Sequence, residues 1–251
     1  MTERRLLGIF AHPDDESRIV GGALAKYASE GVQVDVLVAT RGEVGSCGEP
    51  PLCSPEELPR IREAELRAAC AMLGVHDLVL LDYRDGTLTE VDRRALIGDI
   101  VAAIRRMQPH VVITFGPEGR TLHPDHIVIH EAATAAFHLA ADRTAAIADG
   151  QLSWAAPKLY YPVIPASQAR RTTWRFPSIP DDQVTVALDV ASWIAQKKQA
   201  TNEAHRTQAH DQPFGNLSEA ERWRELSTEY FRLAATHGMP HPQRETDLFE
   251  D

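Results

Sequence analysis

The first part of the chain alternates between short apolar runs and longer segments whose apolar residues recur at helical spacing. Runs rich in valine, leucine and isoleucine predict four strands, at residues 5–10, 32–40, 77–83 and 110–115. The segments that follow them predict four helices, at residues 17–30, 59–73, 92–108 and 127–145. Strands that alternate with helices in this way form βαβ units. The pattern therefore predicts an α/β fold with a doubly wound, mostly parallel sheet.

The rest of the chain is less regular. It predicts two further strands and two further helices, at residues 158–164, 184–190, 192–208 and 217–235, followed by a loose tail at 237–251. No repeat, low-complexity tract or linker divides the chain. We therefore expect a single domain of residues 1–251, with a regular part at 1–150 and a less regular C-terminal part at 151–251.

The formal net charge of −10 narrows the classes of partner. Nucleic acids and anionic membranes need clustered lysine and arginine, so neither is an expected partner. No window is long and apolar enough for a membrane span, and the first apolar run is too short for a signal peptide, which leads us to expect a cytoplasmic protein. Three cysteines are too few for a disulfide framework. The oligomeric state is left open, a homo-oligomer included.

Two segments rich in histidine and aspartate follow predicted strands. Residues 11–16 read AHPDDE directly after the first strand, and residues 122–126 read LHPDH shortly after the fourth. In a doubly wound sheet of order 3-2-1-4 these two strands are neighbours, and a crevice opens between their carboxyl ends. Either segment alone fits a helix N-cap with proline in the first turn. Together they predict a metal site, because capping needs no additional histidines.

The residue types suit a catalytic divalent cation. Imidazole nitrogen and carboxylate oxygen are ligands of Zn²⁺, and a catalytic zinc site has three protein ligands and an open position for water. His12 and Asp15 lie three residues apart across a turn, and one group of the second segment would complete the set. Asp14 and a remaining imidazole are then available as general base and electrostatic stabiliser. A nucleotide-binding module is an alternative, but this turn lacks Gly-x-Gly-x-x-Gly and its carboxylates would repel a pyrophosphate.

Both segments resemble the signature of the PIG-L/LmbE-like zinc-dependent N-acetylglucosaminyl deacetylases. Relatives in that family include the deacetylases of mycothiol and bacillithiol biosynthesis and the mycothiol S-conjugate amidase. Weaker matches extend the resemblance over most of the chain, at residues 40–43, 62–74, 82–88 and 205–208. The resemblance implies a Rossmann-like fold and one zinc ion per chain, with Fe²⁺ or another divalent metal as the alternative. It implies removal of an acetyl group from a small-molecule substrate, an N-acetylglucosamine-type sugar or glycoside.

The resemblance also implies roles for individual residues. It assigns zinc to His12, Asp15 and His126 within the regular part of the chain. Asp14 becomes the general base that takes a proton from the zinc-bound water as it attacks the amide. His123 faces the developing oxyanion.

Three more residues complete the implied site. Asp125 is expected to orient the ring of His123 and support its charge. Arg62 and Asp85 fall where relatives contact sugar or cyclitol hydroxyls. A solvated helix charge and a turn carboxylate are the alternative interpretations of these two residues.

Three positions depart from the family pattern. Leu122 stands where glycine usually precedes the histidine pair, Thr121 where some members carry a tyrosine that helps the oxyanion, and Arg18 where smaller or apolar residues are common. His130 could compete with His126 as a ligand by spacing, and the family pattern favours His126. Two other functions stay open: a zinc amidase acting on a larger thiol-conjugate-type amide, and a non-catalytic sugar-binding protein. The loops at 41–58 and 165–183 are expected to line the pocket mouth.

Overall fold

A computed structural model describes residues 4–144, 151–172, 174–210, 214–238 and 244–250 of the chain. The strands within these residues are β1 (Arg5–Phe10), β2 (Gln33–Thr40), β3 (Asp77–Tyr83), β4 (Val111–Ile113), β5 (Lys158–Val163), β6 (Val186–Asp189) and β7 (Thr228–Thr236). They form one sheet in the order β3-β2-β1-β4-β5-β7-β6. The first five strands of that order are parallel, and β7 runs antiparallel to both of its neighbours.

Helices cover the sheet. They are α1 (Asp15–Ser29), α2 (Leu58–Leu73), α3 (Arg93–Met107), α4 (Gly119–Leu122), α5 (Pro124–Ala141), α6 (Ala166–Thr172), α7 (Ile194–Gln199) and α8 (Glu219–Glu225). α1 packs against α2 and α7, and α3 packs against α5. Leu6 and Leu7, whose side chains point to opposite faces of β1, are both fully buried, as expected for a central parallel strand. None of the described helices is both long and apolar enough to cross a membrane.

The predicted α/β fold class is confirmed. The four N-terminal strands lie in the predicted order 3-2-1-4. The signals at helix ends act as expected: the Asp92 side chain accepts a hydrogen bond from the Arg94 N–H at 2.9 Å, and Gly74 ends α2 with φ of 75°. The predicted helix at 127–145 starts earlier, at Pro124, and Ala145 lies outside the described residues.

The predicted helix at 217–235 is wrong in its second half. Only Glu219–Glu225 is helical, and Thr228–Thr236 forms β7 between β5 and β6. Alternate residues Glu229, Phe231 and Leu233 are buried, which is the period of a strand. The apolar residues of this segment fit both periods, and pairing with two strands far away in the sequence decides between them.

Two other C-terminal predictions are corrected. The described part of the tail is anchored, because Leu248 is fully buried and Glu245 accepts hydrogen bonds at 2.5 Å from both the Lys158 amino group and the Tyr160 hydroxyl. Residues 239–243 and 251 lie outside the described residues. The predicted helix at 192–208 is divided into α7 and short turns of different pitch on either side of it.

Candidate active site

The turn after β1 carries the first motif and is held in an uncommon backbone conformation. Asp14 has φ of 116°, a region that residues other than glycine rarely occupy, and α1 begins at the next residue. Two hydrogen bonds fix the turn: the His12 N–H donates to the Asp15 carboxylate at 2.9 Å, and the Asp14 N–H donates to the Glu16 carboxylate at 3.0 Å. The turn therefore presents three functional side chains at the carboxyl end of β1.

The second motif is positioned by Gly119. This glycine has φ of 57°, and a Cβ on it would lie 2.8 Å from Cβ of His126, so no larger residue fits without rearrangement. Its carbonyl oxygen lies 3.0 Å from Nδ1 of His126 and accepts a hydrogen bond from that nitrogen. The His126 ring also stacks on Phe115 with the centroids 4.1 Å apart. Since Nδ1 carries the proton, Nε2 of His126 is free to bind a metal.

The two motifs meet as the adjacent strands β1 and β4 predict. Nδ1 of His12 lies 3.1 Å from Nε2 of His126. Oδ2 of Asp15 lies 3.7 Å from the first nitrogen, and the other oxygen, Oδ1, lies 3.4 Å from the second. Ligands about 2.0–2.2 Å from a tetrahedral zinc ion stand about 3.4 Å from one another. The three groups therefore have the spacing of a triad that holds one divalent cation.

Burial and charge also fit a cation at this triad. His12, Asp15 and His126 are 7%, 6% and 7% exposed. Burial raises the pKa of Asp15 to about 7, while burial and the positive charge of His12 lower the pKa of His126 to about 3. The His126 ring is thus neutral with an available lone pair, and a cation would offset the cost of ionising a buried Asp15.

Two carboxylates orient His12 from its other nitrogen. Nε2 of His12 lies 2.9 Å from Asp85 and 3.3 Å from Asp125. Burial alone would lower the pKa of His12, but these hydrogen bonds to Asp125 and Asp85 raise it to about 10. Without a cation His12 is therefore an imidazolium at neutral pH, and a metal ion at Nδ1 would have to displace the proton from that nitrogen. The carboxylates would then keep the remaining proton on Nε2 and make Nδ1 a stronger ligand. Asp85 also lines the cavity, but it is 4% exposed, and its carboxylate contacts His12 and accepts a hydrogen bond from the Val44 N–H at 3.2 Å.

The partner predicted for Asp125 is corrected. Its carboxylate accepts hydrogen bonds from the Gly86 N–H at 2.7 Å and the Leu88 N–H at 3.1 Å, besides the contact with His12. His123 meets Asp125 only through the backbone, because Nδ1 of His123 accepts from the Asp125 N–H at 3.2 Å. The Asp125 side chain, one residue before His126, thus contacts the opposite motif.

His123 lies at the open side of the site. One ring nitrogen of each of His12, His123 and His126 lies within 4.8 Å of the others, so His123 is a geometric rival to Asp15 as third ligand. Asp15 lies within 3.7 Å of a ring nitrogen of both His12 and His126 and is buried, whereas His123 is exposed. Partial burial and the positive charge of His12 lower the pKa of His123. At neutral pH the ring is therefore uncharged, with its proton on Nε2 because Nδ1 accepts.

Arg62 is buried, and its guanidinium lies beside the carboxylate of Asp14, the candidate general base. It is 3% exposed, which rules out a solvated helix charge. Its guanidinium donates to the carbonyl oxygens of Pro13 and Gly42 and lies 3.4 Å from the Asp14 carboxylate. Arg18 lies 3.2 Å from the same carboxylate. Burial alone would raise the pKa of Asp14, but Arg18 and Arg62 outweigh it and hold that pKa below its ordinary value.

Sequence reasoning missed a buried pair behind the first motif. Nε2 of His205 lies 2.7 Å from the Glu16 carboxylate, and both residues are fully buried. Residues 205–208 are among the weaker matches to the family, so the sequence marks this segment, but the match does not indicate what His205 does. His130 belongs to neither of the possible metal-binding groups among the described residues, and its ring packs edge-on against Tyr161 with the centroids 5.0 Å apart.

A cavity of about 830 Å³ opens over the triad. It is lined by the triad, by Asp14, Arg62, Asp85 and His123, and by parts of both loops that were expected at its mouth, including Val44, Gly45, Thr172, Trp174, Arg175 and Phe176. That expectation is confirmed. The cavity is large enough for a sugar with a further group attached, while the triad occupies only its inner end.

Fold and site together define the class of protein: a Rossmann-like α/β domain with a buried His–Asp–His cluster, a candidate site for a divalent cation, at the switch point of the sheet. The family model described as GlcNAc-PI de-N-acetylase (PIG-L) matches residues 7–137. The chain belongs to this family, as its two motifs predict.

Named relatives agree with that assignment. A 1D-myo-inositol 2-acetamido-2-deoxy-alpha-D-glucopyranoside deacetylase from Rhodococcus erythropolis is 38% identical, with 98% of this chain and 97% of the relative covered. An N,N'-diacetylchitobiose deacetylase from Pyrococcus horikoshii superposes with a TM-score of 0.68 at 21% identity, covering 93% and 84%. The 4-carboxy-2-hydroxymuconate hydratase from Pseudomonas putida has the same TM-score at 19% identity, covering 94% and 98%. The last two likenesses show the fold alone, so the reaction is argued from the site.

Proposed function

We propose that the chain is a zinc-dependent N-deacetylase that removes the acetyl group from an N-acetylglucosamine-type glycoside. One observation carries the proposal: His12, Asp15 and His126 converge at 3.1–3.7 Å from one another beneath a cavity, with Asp14 beside them. Two nitrogens and one oxygen form the donor set of a catalytic zinc site that keeps a position open.

The proposed reaction divides its chemistry between the cation and Asp14. A divalent cation supplies Lewis acidity that activates water and polarises an amide carbonyl. Asp14, held ionised by Arg18 and Arg62, accepts a proton from the attacking water. It then returns that proton to the amine nitrogen, which is a poor leaving group until it is protonated.

His123 stabilises the oxyanion as a neutral hydrogen-bond donor. Its Nδ1 accepts from a backbone N–H, so Nε2–H is directed away from that contact. The ring lines the cavity, with its centroid 4.8 Å from that of His12 and 4.9 Å from that of His126. Donation from a fixed N–H to a developing oxyanion is a large contribution to acyl-transfer catalysis.

The Rhodococcus relative supports the substrate class, because its name specifies an N-acetylglucosaminide of inositol. That compound and simpler N-acetylglucosaminides are the substrates of choice for a first assay. Free amine released from each is followed with native protein, after treatment with a chelator, and after Zn²⁺ or Fe²⁺ is added back. We expect release with native protein, its loss on chelation and its return with Zn²⁺.

The outcomes of this assay test the proposed reaction and the proposed metal separately. No amine released from any N-acetylglucosaminide by metal-loaded protein would refute the deacetylase. Recovery of amine release with Fe²⁺ but not with Zn²⁺ would support the deacetylase reaction and assign Fe²⁺ as its metal in place of Zn²⁺. Release from bulkier N-acyl amides alone would favour the larger-amide amidase.

A further inference from the structure

The cavity has two ends of different chemistry. The inner end holds the metal triad and its surrounding carboxylates. The outer end is lined by three aromatic residues, Trp174, Phe176 and Phe214, and by two arginines, Arg120 and Arg175. The proposed reaction uses the inner end only, which leaves the outer wall without an assigned role.

The outer arginines differ from the inner ones in having no hydrogen-bond or ion-pair partner among the described residues. Arg18 and Arg62 are engaged with Asp14 and with carbonyl oxygens. Across the described residues, neither Arg120 nor Arg175 has an ion pair or a hydrogen bond from its guanidinium. Glu229 and Asp15 act on Arg120 only through space, and Glu229 already binds the Lys197 amino group at 2.6 Å. Arg120 is partly buried, so its guanidinium without an anionic partner costs free energy that a bound anion would offset, whereas Arg175 is exposed and carries no such cost.

Arg120 is placed where it is by an uncommon backbone. It has φ of 61°, next to Gly119 with φ of 57°, in the short stretch that positions His126. A left-handed conformation at an arginine is costly and is tolerated where surrounding structure imposes it, often at binding sites. Burial lowers the pKa of this guanidinium to about 10, so it stays positive at neutral pH.

The aromatic residues form a supported wall beside that charge. The Arg120 guanidinium lies 5.8 Å from the centroid of the Trp174 ring, and the Trp174 ring contacts both phenylalanines at centroid distances of 5.1 and 5.4 Å. Nε1 of Trp174 donates to the Pro177 carbonyl oxygen at 3.3 Å, which fixes the ring. Fixed aromatic faces bind the flat or apolar faces of ring-shaped groups.

The positive wall is not a consequence of overall charge. The chain carries a formal net charge of −10, so an anion gains nothing from the protein surface in general. A cationic, aromatic end in such a chain is selective for a ligand that carries both a ring and a negative charge.

We propose that the outer end is a subsite for an anionic, ring-bearing aglycone, with the ring against Trp174 and its carboxylate or phosphate against Arg120 and Arg175. This subsite rests on the proposed deacetylase function and specifies its substrate. The inositol glycoside named for the Rhodococcus relative is uncharged, so this chain is expected to prefer a different aglycone.

A matched pair of substrates tests the subsite: phenyl and 4-carboxyphenyl N-acetylglucosaminide, which differ only in one carboxylate. We expect native protein to deacetylate the carboxylate compound with a kcat/KM at least about tenfold higher, the effect of one charge-assisted hydrogen bond. Arg120→Gln should abolish the preference, Arg120→Lys should keep part of it, and Arg175→Gln should reduce it. Arg94→Gln, an exposed arginine on α3 outside the cavity, should leave it unchanged.

Binding keeps the test independent of turnover. The two deacetylated products are titrated into native, Arg120→Gln and Arg94→Gln protein by calorimetry, with tighter binding of the carboxylate product expected only where Arg120 is present. Equal hydrolysis and equal binding of the pair, or a preference that survives both Arg120→Gln and Arg175→Gln, overturns the subsite and leaves the deacetylase intact. If neither glycoside is hydrolysed, the deacetylase fails, and the calorimetry alone decides the subsite.

Discussion

At the scale of single residues, the uncommon backbone conformation of Asp14 arranges the first motif. Its backbone lies at φ of 116°, and its side chain lines the cavity together with those of its neighbours His12 and Asp15, the proposed metal ligands. The Glu16 carboxylate accepts its N–H, and His205 in turn holds Glu16. The conformation is therefore maintained by a buried pair, one member of which comes from the far end of the sequence.

Two variants should distinguish the loss of proton transfer from the loss of metal binding. Asp14→Asn keeps the side-chain shape and all three ligands, so it should retain one metal ion per chain while losing turnover by about 10²–10⁴-fold. His126→Ala removes a ligand and should lose the metal. Metal analysis of dialysed protein, with amine release on the same samples, distinguishes them. Full turnover in Asp14→Asn contradicts the base assignment.

The His205–Glu16 pair predicts a pH dependence of stability. Burial alone would lower the pKa of His205, but the charge of Glu16 raises it above the ordinary 6.5. A raised pKa stabilises the fold below about pH 6.5, and the contribution disappears as pH rises through the folded-state pKa. Each tenfold gain in the proton affinity of the imidazole on folding contributes about 1.4 kcal/mol to the free energy of unfolding.

Urea denaturation of native protein and His205→Gln from pH 6 to 9 measures this. The difference in unfolding free energy between the two should shrink as pH rises. A difference that is constant across the range shows that His205 does not change charge on folding.

At the scale of elements, α1 is interrupted behind the site. Val20 has non-helical angles of −132° and 17°, and the N–H groups of Gly22 and Ala23 donate to the Glu229 carboxylate of β7 at 2.9 Å each. Lys197, 1% exposed, pairs with the same carboxylate at 2.6 Å. β7, which the sequence periodicity predicts wrongly as part of a helix, therefore supports α1 through Glu229.

Removing Glu229 should be far more costly than removing a surface carboxylate. Glu229→Ala leaves a buried ammonium and two backbone N–H groups without an acceptor, so we expect a loss of about 3–5 kcal/mol in unfolding free energy. Glu219→Ala breaks an exposed pair with Lys198 and should leave the unfolding free energy almost unchanged. Denaturation midpoints of the two variants give the comparison, and equal losses would contradict the role of Glu229.

At the scale of the whole molecule, the proposed cation joins segments that are far apart in the sequence. His12 and Asp15 follow β1, whereas His126 lies on α5. Carboxylates surround the triad, with Asp85 and Asp125 on one nitrogen of His12 and Asp14 nearby. Binding to the folded state alone must therefore stabilise it by mass action.

Saturation with zinc should raise the melting temperature. At a free zinc concentration one hundred times Kd, the gain is about 2.7 kcal/mol, or about 5–10 °C for a domain of this size. Calorimetric scans with zinc and with chelator measure it, and His126→Ala is the control that should show no zinc-dependent shift. The same melting temperature in both scans of native protein would argue against a cation site.

The sequence by itself determined the first four strands, the helices between them, and the two motifs that meet at the switch point. These follow from local periodicity, turn residues and the topology of βαβ units, which act over short stretches of chain. It did not determine that residues 228–236 form a strand, that Asp125 and Asp85 bind His12, or that Arg62 is buried against Asp14. Those outcomes depend on partners more than forty residues away or on two distant strands. Only the assembled sheet, with its side chains desolvated together, decides which contacts are made.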